Sequence, residues 1–229
     1  MTKNQVVNIS IIGDSHVRGY RDRKNIYPLF LGSGKKINLF AKNYNNLVMK
    51  INAAIQSLDF VYKSPSSDYI YLSLGEPDCR HQLGYGWYPQ NQENVEPIVN
   101  KVILNECARS YSSLLEILDD QWPDKNIFIL TTSTHYPAVL PSIKYFNNLL
   151  LDKFESRCVD LTSALDSLDD YQGSDIIGRP DLIHLSTNIS NLFLDRIKEM
   201  GHILNTDDYE SHMHIDQNFG CLRLELTNS

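Results

Sequence analysis

Short apolar runs that stop at glycine, set between longer segments of helical spacing, constrain this chain more than any other feature. Val6 to Ile12 is apolar and β-branched and stops at Gly13, and Tyr69 to Leu74 stops at Gly75. Asn126 to Thr131 and Cys158 to Leu161 are two more short apolar runs. Such runs suit strands buried on both faces, as in a parallel sheet. Between them, Ile37 to Leu58 places Leu39, Phe40, Tyr44, Leu47, Val48, Ile51, Ala54, Ile55 and Leu58 on one helical face. Val95 to Leu118 is the longest such pattern, and Pro97 fits only near its start. Pro141 to Phe154 and Thr187 to Met200 complete the set, the last with Ser186 or Thr187 as its cap. Ile26 to Leu31 is a further apolar segment, in which Pro28 counts against a central strand. Strand and helix alternate at least four times, which predicts an α/β fold with a central parallel sheet and helices on both faces.

The 229 residues suit one such domain. We place it at residues 1–204, because the alternation breaks near 205, and treat 205–229 as a C-terminal extension. A run at Cys221 to Leu226 could add a strand to the sheet or pack on a partner. Gln82 to Asn94, aromatic and polar with two glycines, reads as a loop over a site or an edge.

The formal net charge of -7 argues against a grip on nucleic acid or on an anionic membrane surface. No apolar run approaches the roughly 20 residues of a membrane helix. The first residues lack the layout of a signal peptide, so the expected location is cytoplasmic. The four cysteines are far apart and form no CxxC pair, so reduced thiols are expected rather than a zinc or redox site. His212 and His214 with nearby acids are the weak exception, and neither a metal nor a cofactor is expected.

Three segments carry the chemistry. In Ile11-Ile12-Gly13-Asp14-Ser15-His16, a glycine turn after a strand can present Ser15 as a nucleophile at the start of a helix. The same residues also suit Asp14 or Ser15 as a simple helix cap. In Arg179-Pro180-Asp181-Leu182-Ile183-His184, Asp and His three apart can share one side of a turn. An aspartate that orients an imidazole, whose other nitrogen faces a serine, is the logic of a catalytic triad. A loop histidine beside a helix cap fits that pattern too. In Leu74-Gly75-Glu76-Pro77-Asp78-Cys79-Arg80, a glycine at a strand end can point its N–H into a crevice. Arg80 could hold an anionic substrate group, or pair with Glu76 or Asp78. His135, in Ser133-Thr134-His135-Tyr136-Pro137, could line the same crevice or be an ordinary buried polar residue. His16 could tune Ser15, contact substrate, or sit on the surface. Tyr85, Trp87 and Tyr88 could form a platform for a sugar or another acceptor, or pack on their own domain.

In order and placement these segments resemble the SGNH (GDSL-like) hydrolases. Gly13-Asp14-Ser15 resembles block I, and Gly32 in Leu31-Gly32-Ser33-Gly34 resembles the block II glycine. Gly75 with Asp78 resembles the block III Gly-x-Asn-Asp element, and Asp181-x-x-His184 resembles block V. Cys158-Val159-Asp160-Leu161 is similar to the last strand leading to that block. The resemblance spans about residues 6 to 200. It implies a flavodoxin-like three-layer α/β/α fold and ester hydrolysis through an acyl-enzyme without a metal. It implies that Ser15 attacks the acyl carbon, that His184 carries the proton, and that Asp181 holds the imidazole. The N–H groups of Ser15, Gly75 and Gly32 would bind the oxyanion, and Asp14, His16, Arg80 and His135 would contact substrate.

The match departs from the family at Pro77, which stands where block III has its asparagine. Proline supplies neither a side-chain donor nor an N–H. Loss of one oxyanion donor can cost roughly 100- to 1,000-fold in rate. Arg80, His81 or a nearby backbone group could substitute, and Gly75 to Arg80 resembles the Gly-Glu-x-Asp-Cys-Arg element of an SGNH subgroup. The expected function is removal of a small acyl group, acetyl for example, from a carbohydrate or related small metabolite. Acyl transfer to another hydroxyl uses the same triad, and a binding protein on this scaffold is the reading that Pro77 supports. A homo-oligomer is left open.

Overall fold

The computed structural model describes residues 6–20, 23–31, 39, 44–62, 69–81, 99–133, 138–163, 189–209 and 222–223. Six strands form one parallel sheet: β1 (Ile9–Gly13), β2 (Ile26–Phe30), β3 (Tyr69–Ser73), β4 (Asn126–Leu130), β5 (Cys158–Val159) and β6 (Leu222–Arg223). Their order across the sheet is β5-β4-β3-β1-β2-β6. The helices are α1 (Tyr44–Tyr62), α2 (Glu76–His81), α3 (Lys101–Gln121), α4 (Leu140–Phe154) and α5 (Ile189–Glu199), with a 3-10 helix at Ser15–Tyr20.

The alternating side chains of each strand feed two separate cores. Ile12, Ile70, Leu72, Ile127 and Ile129 face α1, α3 and α4, which add Leu47, Ile51, Leu104, Tyr111, Leu114, Ile143 and Phe146. Ile9, Ile11, Tyr71 and Leu130 face the other way, against Val17 and Tyr20 of the 3-10 helix and Ile189, Phe193 and Ile197 of α5. The result is three layers, α/β/α. Which face each helix covers follows from the strand order. Connections that run toward β2 and β6 must cross one face, and those that run toward β5 the other, if all crossovers share one hand. The 3-10 helix joins β1 to β2 and α5 precedes β6, and both lie on the second face; α1, α3 and α4 lie on the first.

Several boundaries differ from the sequence expectation. Within the helix expected over Ile37 to Leu58, Leu39 lies in a bend although fully buried, and the described helix is Tyr44–Tyr62. The helix expected from Val95 begins at Lys101, where the Asn100 side chain accepts a hydrogen bond from Ile103 N–H at 3.2 Å. Side-chain capping therefore decided that start, and hydrophobic spacing could not show it. Pro28 lies inside β2, opposite Ile11, with strands on both sides. Among the described residues, β6 pairs with Leu29 and Phe30 and not with Pro28, so no described ladder bond on that side needs a Pro28 N–H. Leu222–Arg223 does join the sheet, beside β2. No helix among the described residues is long and apolar enough to cross a membrane.

Gly13 is required by packing. A Cβ there would stand 1.9 Å from the Ser73 carbonyl oxygen of β3. Gly201, at φ +76°, has nothing within 4 Å of the same added atom. Gly201→Ala should thus cost only the left-handed backbone strain, about 1–2 kcal/mol. Gly13→Ala should cost more than about 4 kcal/mol or prevent folding. Urea unfolding of the two variants checks this, and equal costs would contradict the close approach of β1 and β3.

Candidate active site

The order β2-β1-β3-β4-β5 places a topological switch point between β1 and β3, the position where open α/β sheets form a crevice beyond their carboxyl ends. Both turns singled out in the sequence leave the sheet there. After β1 the chain is pinned on two sides. Leu31 N–H donates to Gly13 O at 2.9 Å, and Asp14 N–H donates to Ser73 O at 3.1 Å. Ser15 then opens the 3-10 helix Ser15–Tyr20. That helix is held from α5, where Ser190 Oγ donates to Gly19 O at 2.9 Å and Phe193 meets the Tyr20 ring edge-on.

Asp14 is the cap of this turn. Its Oδ1 accepts from His16 N–H at 2.9 Å and lies 2.9 Å from His16 Nδ1. Both side chains are buried, at 3% and 4% exposure. Asp14 Oδ2 is also buried and has no hydrogen-bond partner among the described residues. The surface option for His16 is thereby corrected: its ring is enclosed and committed to Asp14. Burial alone would favour the neutral imidazole, but the charge of Asp14, its hydrogen bond and the charge of Glu76 outweigh burial and the opposing Arg80. His16 therefore titrates above its ordinary 6.5.

After β3, Gly75 adopts φ +113° and faces the Phe146 ring of α4, 2.4 Å from where a Cβ would stand. Only glycine satisfies both conditions. Gly75 O accepts from Cys79 N–H at 3.0 Å and so starts α2. Its own N–H makes no hydrogen bond to another described residue. Tyr111 of α3 steadies the strand end by donating its hydroxyl to Leu72 O at 3.0 Å. Pro77 is the second residue of α2, where a helix has no use for an N–H. Arg80 reaches back one turn to Glu76, with both hydrogen bonds at 3.2 Å. Of the two roles open to Arg80, pairing with Glu76 is the observed one. Cys79, Cys107 and Cys158 are buried free thiols. Burial first, then Asp78 and Cys107, pushes the Cys79 thiol well up, so it is not a nucleophile at neutral pH.

One supporting group was missed in the sequence. Thr131, Thr132 and Ser133 leave β4 as buried polar residues. Asn147 of α4 holds Thr132 by both backbone groups, accepting from its N–H at 2.9 Å and donating to its carbonyl at 2.7 Å. Thr131 Oγ1 accepts from Leu161 N–H at 2.7 Å and ties in the chain after β5. The signal was present: Ile143, Phe146, Asn147 and Leu150 are all buried on one face of α4. An asparagine in such a row must find partners. Gly32, Tyr85, Trp87, Tyr88, His135, Asp181, His184, His212 and His214 lie outside the described residues, as does the Ser15 side chain. Among the described residues no group of three or more His, Cys, Asp and Glu is placed to hold a metal ion.

No protein-family model matches the sequence, and no curated protein matches it. Solved structures do. An acetyl xylan esterase, AlAXEase, superposes with a TM-score of 0.51 at 14% identity, over 84% of this chain and 98% of its own. The lipase Lip_vut3 from a goat rumen metagenome gives 0.50 at 13% identity, over 85% and 97%. At such identities the likeness is one of fold, and the three-layer α/β/α arrangement is shared.

The Asn147 clamp has a measurable cost. Asn147→Ala strands one buried donor and one buried acceptor of Thr132, each worth about 1–3 kcal/mol. The urea midpoint should fall accordingly, with the slope unchanged. A loss below about 0.5 kcal/mol would show that the clamp contributes nothing.

Proposed function

We propose that this protein is a serine ester hydrolase that removes a small acyl group, acetyl foremost, from a carbohydrate or related small metabolite. Ser15 is the nucleophile, His184 the general base and Asp181 the residue that orients it. The observation that carries this reading is the placement of Ser15 and Gly75 at the carboxyl ends of adjacent strands β1 and β3, across the switch point. A nucleophile and an oxyanion donor have to flank one acyl carbon, and neighbouring strand ends bring them there. The esterase and lipase that share the fold agree with an ester as substrate.

In this reading Ser15 Oγ attacks the acyl carbon while its proton passes to His184. The negative charge that forms on the acyl oxygen is met by the N–H groups of Ser15, Gly75 and Gly32. The tetrahedral intermediate collapses, the alcohol leaves with the proton from His184, and Ser15 carries the acyl group. Water then attacks with His184 again as base, and the carboxylic acid and free Ser15 are regenerated. With Pro77 in the first turn of α2, the oxyanion site rests on backbone donors. Asp14 and His16, buried and bonded to each other, support the turn from behind, while Arg80 reaches substrate only by sharing its guanidinium with Glu76.

Hydrolysis of p-nitrophenyl acetate by the wild type, Ser15→Ala and Asp181→Asn tests the assignment. Ser15→Ala should remove the enzymatic rate, and Asp181→Asn should lower kcat on the order of 10³- to 10⁴-fold, because the wrong imidazole tautomer is held. A Ser15→Ala rate equal to that of the wild type would assign the nucleophile elsewhere.

A further inference from the structure

Five ionisable side chains leave the two turns of the site: Asp14 and His16 as one pair on the turn after β1, and Glu76 and Arg80 as another on the helix after β3, beside the buried Asp78, whose Oδ1 accepts from the Cys107 thiol at 3.7 Å. Each pair is bonded internally, and His16 responds to the charges of both Glu76 and Arg80. The strands that deliver them are adjacent and in register at Gly13 and Ser73, joined past the ends by Asp14 N–H on Ser73 O. Asp14, Glu76 and His16 are nearly solvent-free, and the Arg80 side chain is 13% exposed. Charges are costly to enclose and stay enclosed only when paired. Removing one of them leaves its partner exposed to that cost.

We propose that His16 is a positioning residue for acyl transfer, closing a buried charged cluster with Asp14, Glu76 and Arg80 that locks the nucleophile turn to the oxyanion turn. This rests on the reading of Ser15 as nucleophile. Protonated, His16 is a second cation beside Arg80 against the buried carboxylates of Asp14, Glu76 and Asp78. When His16 loses its proton, these carboxylates lose one of the two cations described beside them, and the two turns gain reason to part. The groups acting on His16 are Asp14 on its own turn and Glu76 and Arg80 on α2. Tyr20, which feels Asp14, is held neutral by burial. From α5, Ser190 and Phe193 face the 3-10 helix, and neither is charged.

The sign follows. The folded His16 pKa lies above 6.5, so the stabilisation from its proton is full below the unfolded value and is lost as pH rises through the folded one. Activity should therefore carry an alkaline limb set by His16, besides the acidic limb set by the general base.

The test is the pH profile of kcat and KM for p-nitrophenyl acetate with the wild type, His16→Asn and Ser15→Ala. Asparagine keeps a neutral donor near the Nδ1 position and removes the charge. His16→Asn should lower kcat on the order of 10- to 100-fold with KM little changed, and its alkaline limb should vanish. Should His16→Asn not fold, Glu76→Gln serves, because it removes a carboxylate that holds the proton on. Its alkaline limb, and the His16 ring titration followed by NMR, should move to lower pH together. Ser15-dependent turnover with kcat and pH profile unchanged in His16→Asn, or an unmoved limb in Glu76→Gln, would overturn the inference alone. A wild type without Ser15-dependent turnover would overturn the parent reading and the inference with it.

Discussion

The close approach of β1 to β3 at their carboxyl ends sets the position of both turns in the proposed site. Gly13 lies so near the Ser73 carbonyl that no side chain fits between them, and Asp14 N–H bonds to that carbonyl directly. Beyond this contact the strands part, one into the 3-10 helix and one into α2. Gly75 repeats the condition on the other side, against the Phe146 ring. Two glycines with different reasons, a close backbone approach and a positive φ, thus bring Ser15 and the Gly75 N–H to neighbouring strand ends.

The interior behind that crevice is unusual in its polarity. The layers above and below the sheet are apolar, yet Asp14, His16, Glu76 and Asp78 are enclosed at the sheet end, with Thr131, Thr132 and Ser133 beside β4. Buried polar groups that are fully bonded hold one geometry strongly, because every alternative leaves a group unpaired. The Asn147 clamp acts this way on Thr132, and the bonds from Asp14 Oδ1 to His16 fix the turn after β1, both on backbone that is not itself in a strand or long helix. The apolar core positions the sheet, and this polar layer positions the loops that leave it.

Much of the fold was legible because the strands are short and apolar, two of them with a glycine at or just past the end, and because α3, α4 and α5 each keep a largely apolar buried face. The parallel sheet and its two helical layers follow from that pattern alone. Pro28 misled because a proline's place in a strand depends on which neighbours the sheet sets beside it, a tertiary fact. The late start of α3 depended on one asparagine side chain. At the site, the turns at Gly13 and Gly75 were readable from their place after strands. The enclosure of His16 was not, since sequence separation says nothing of what covers a ring. Asn147 was readable in principle, as a polar residue in an apolar row, but its partner Thr132 is 15 residues away.

The most direct measurement on the central proposal is to treat the protein with a serine-directed fluorophosphonate and locate the adduct by peptide mass spectrometry. The account expects a single stoichiometric adduct on Ser15, formed more slowly as pH falls and the general base is protonated. An adduct on another residue, or none in protein whose fold is verified by circular dichroism, would contradict it.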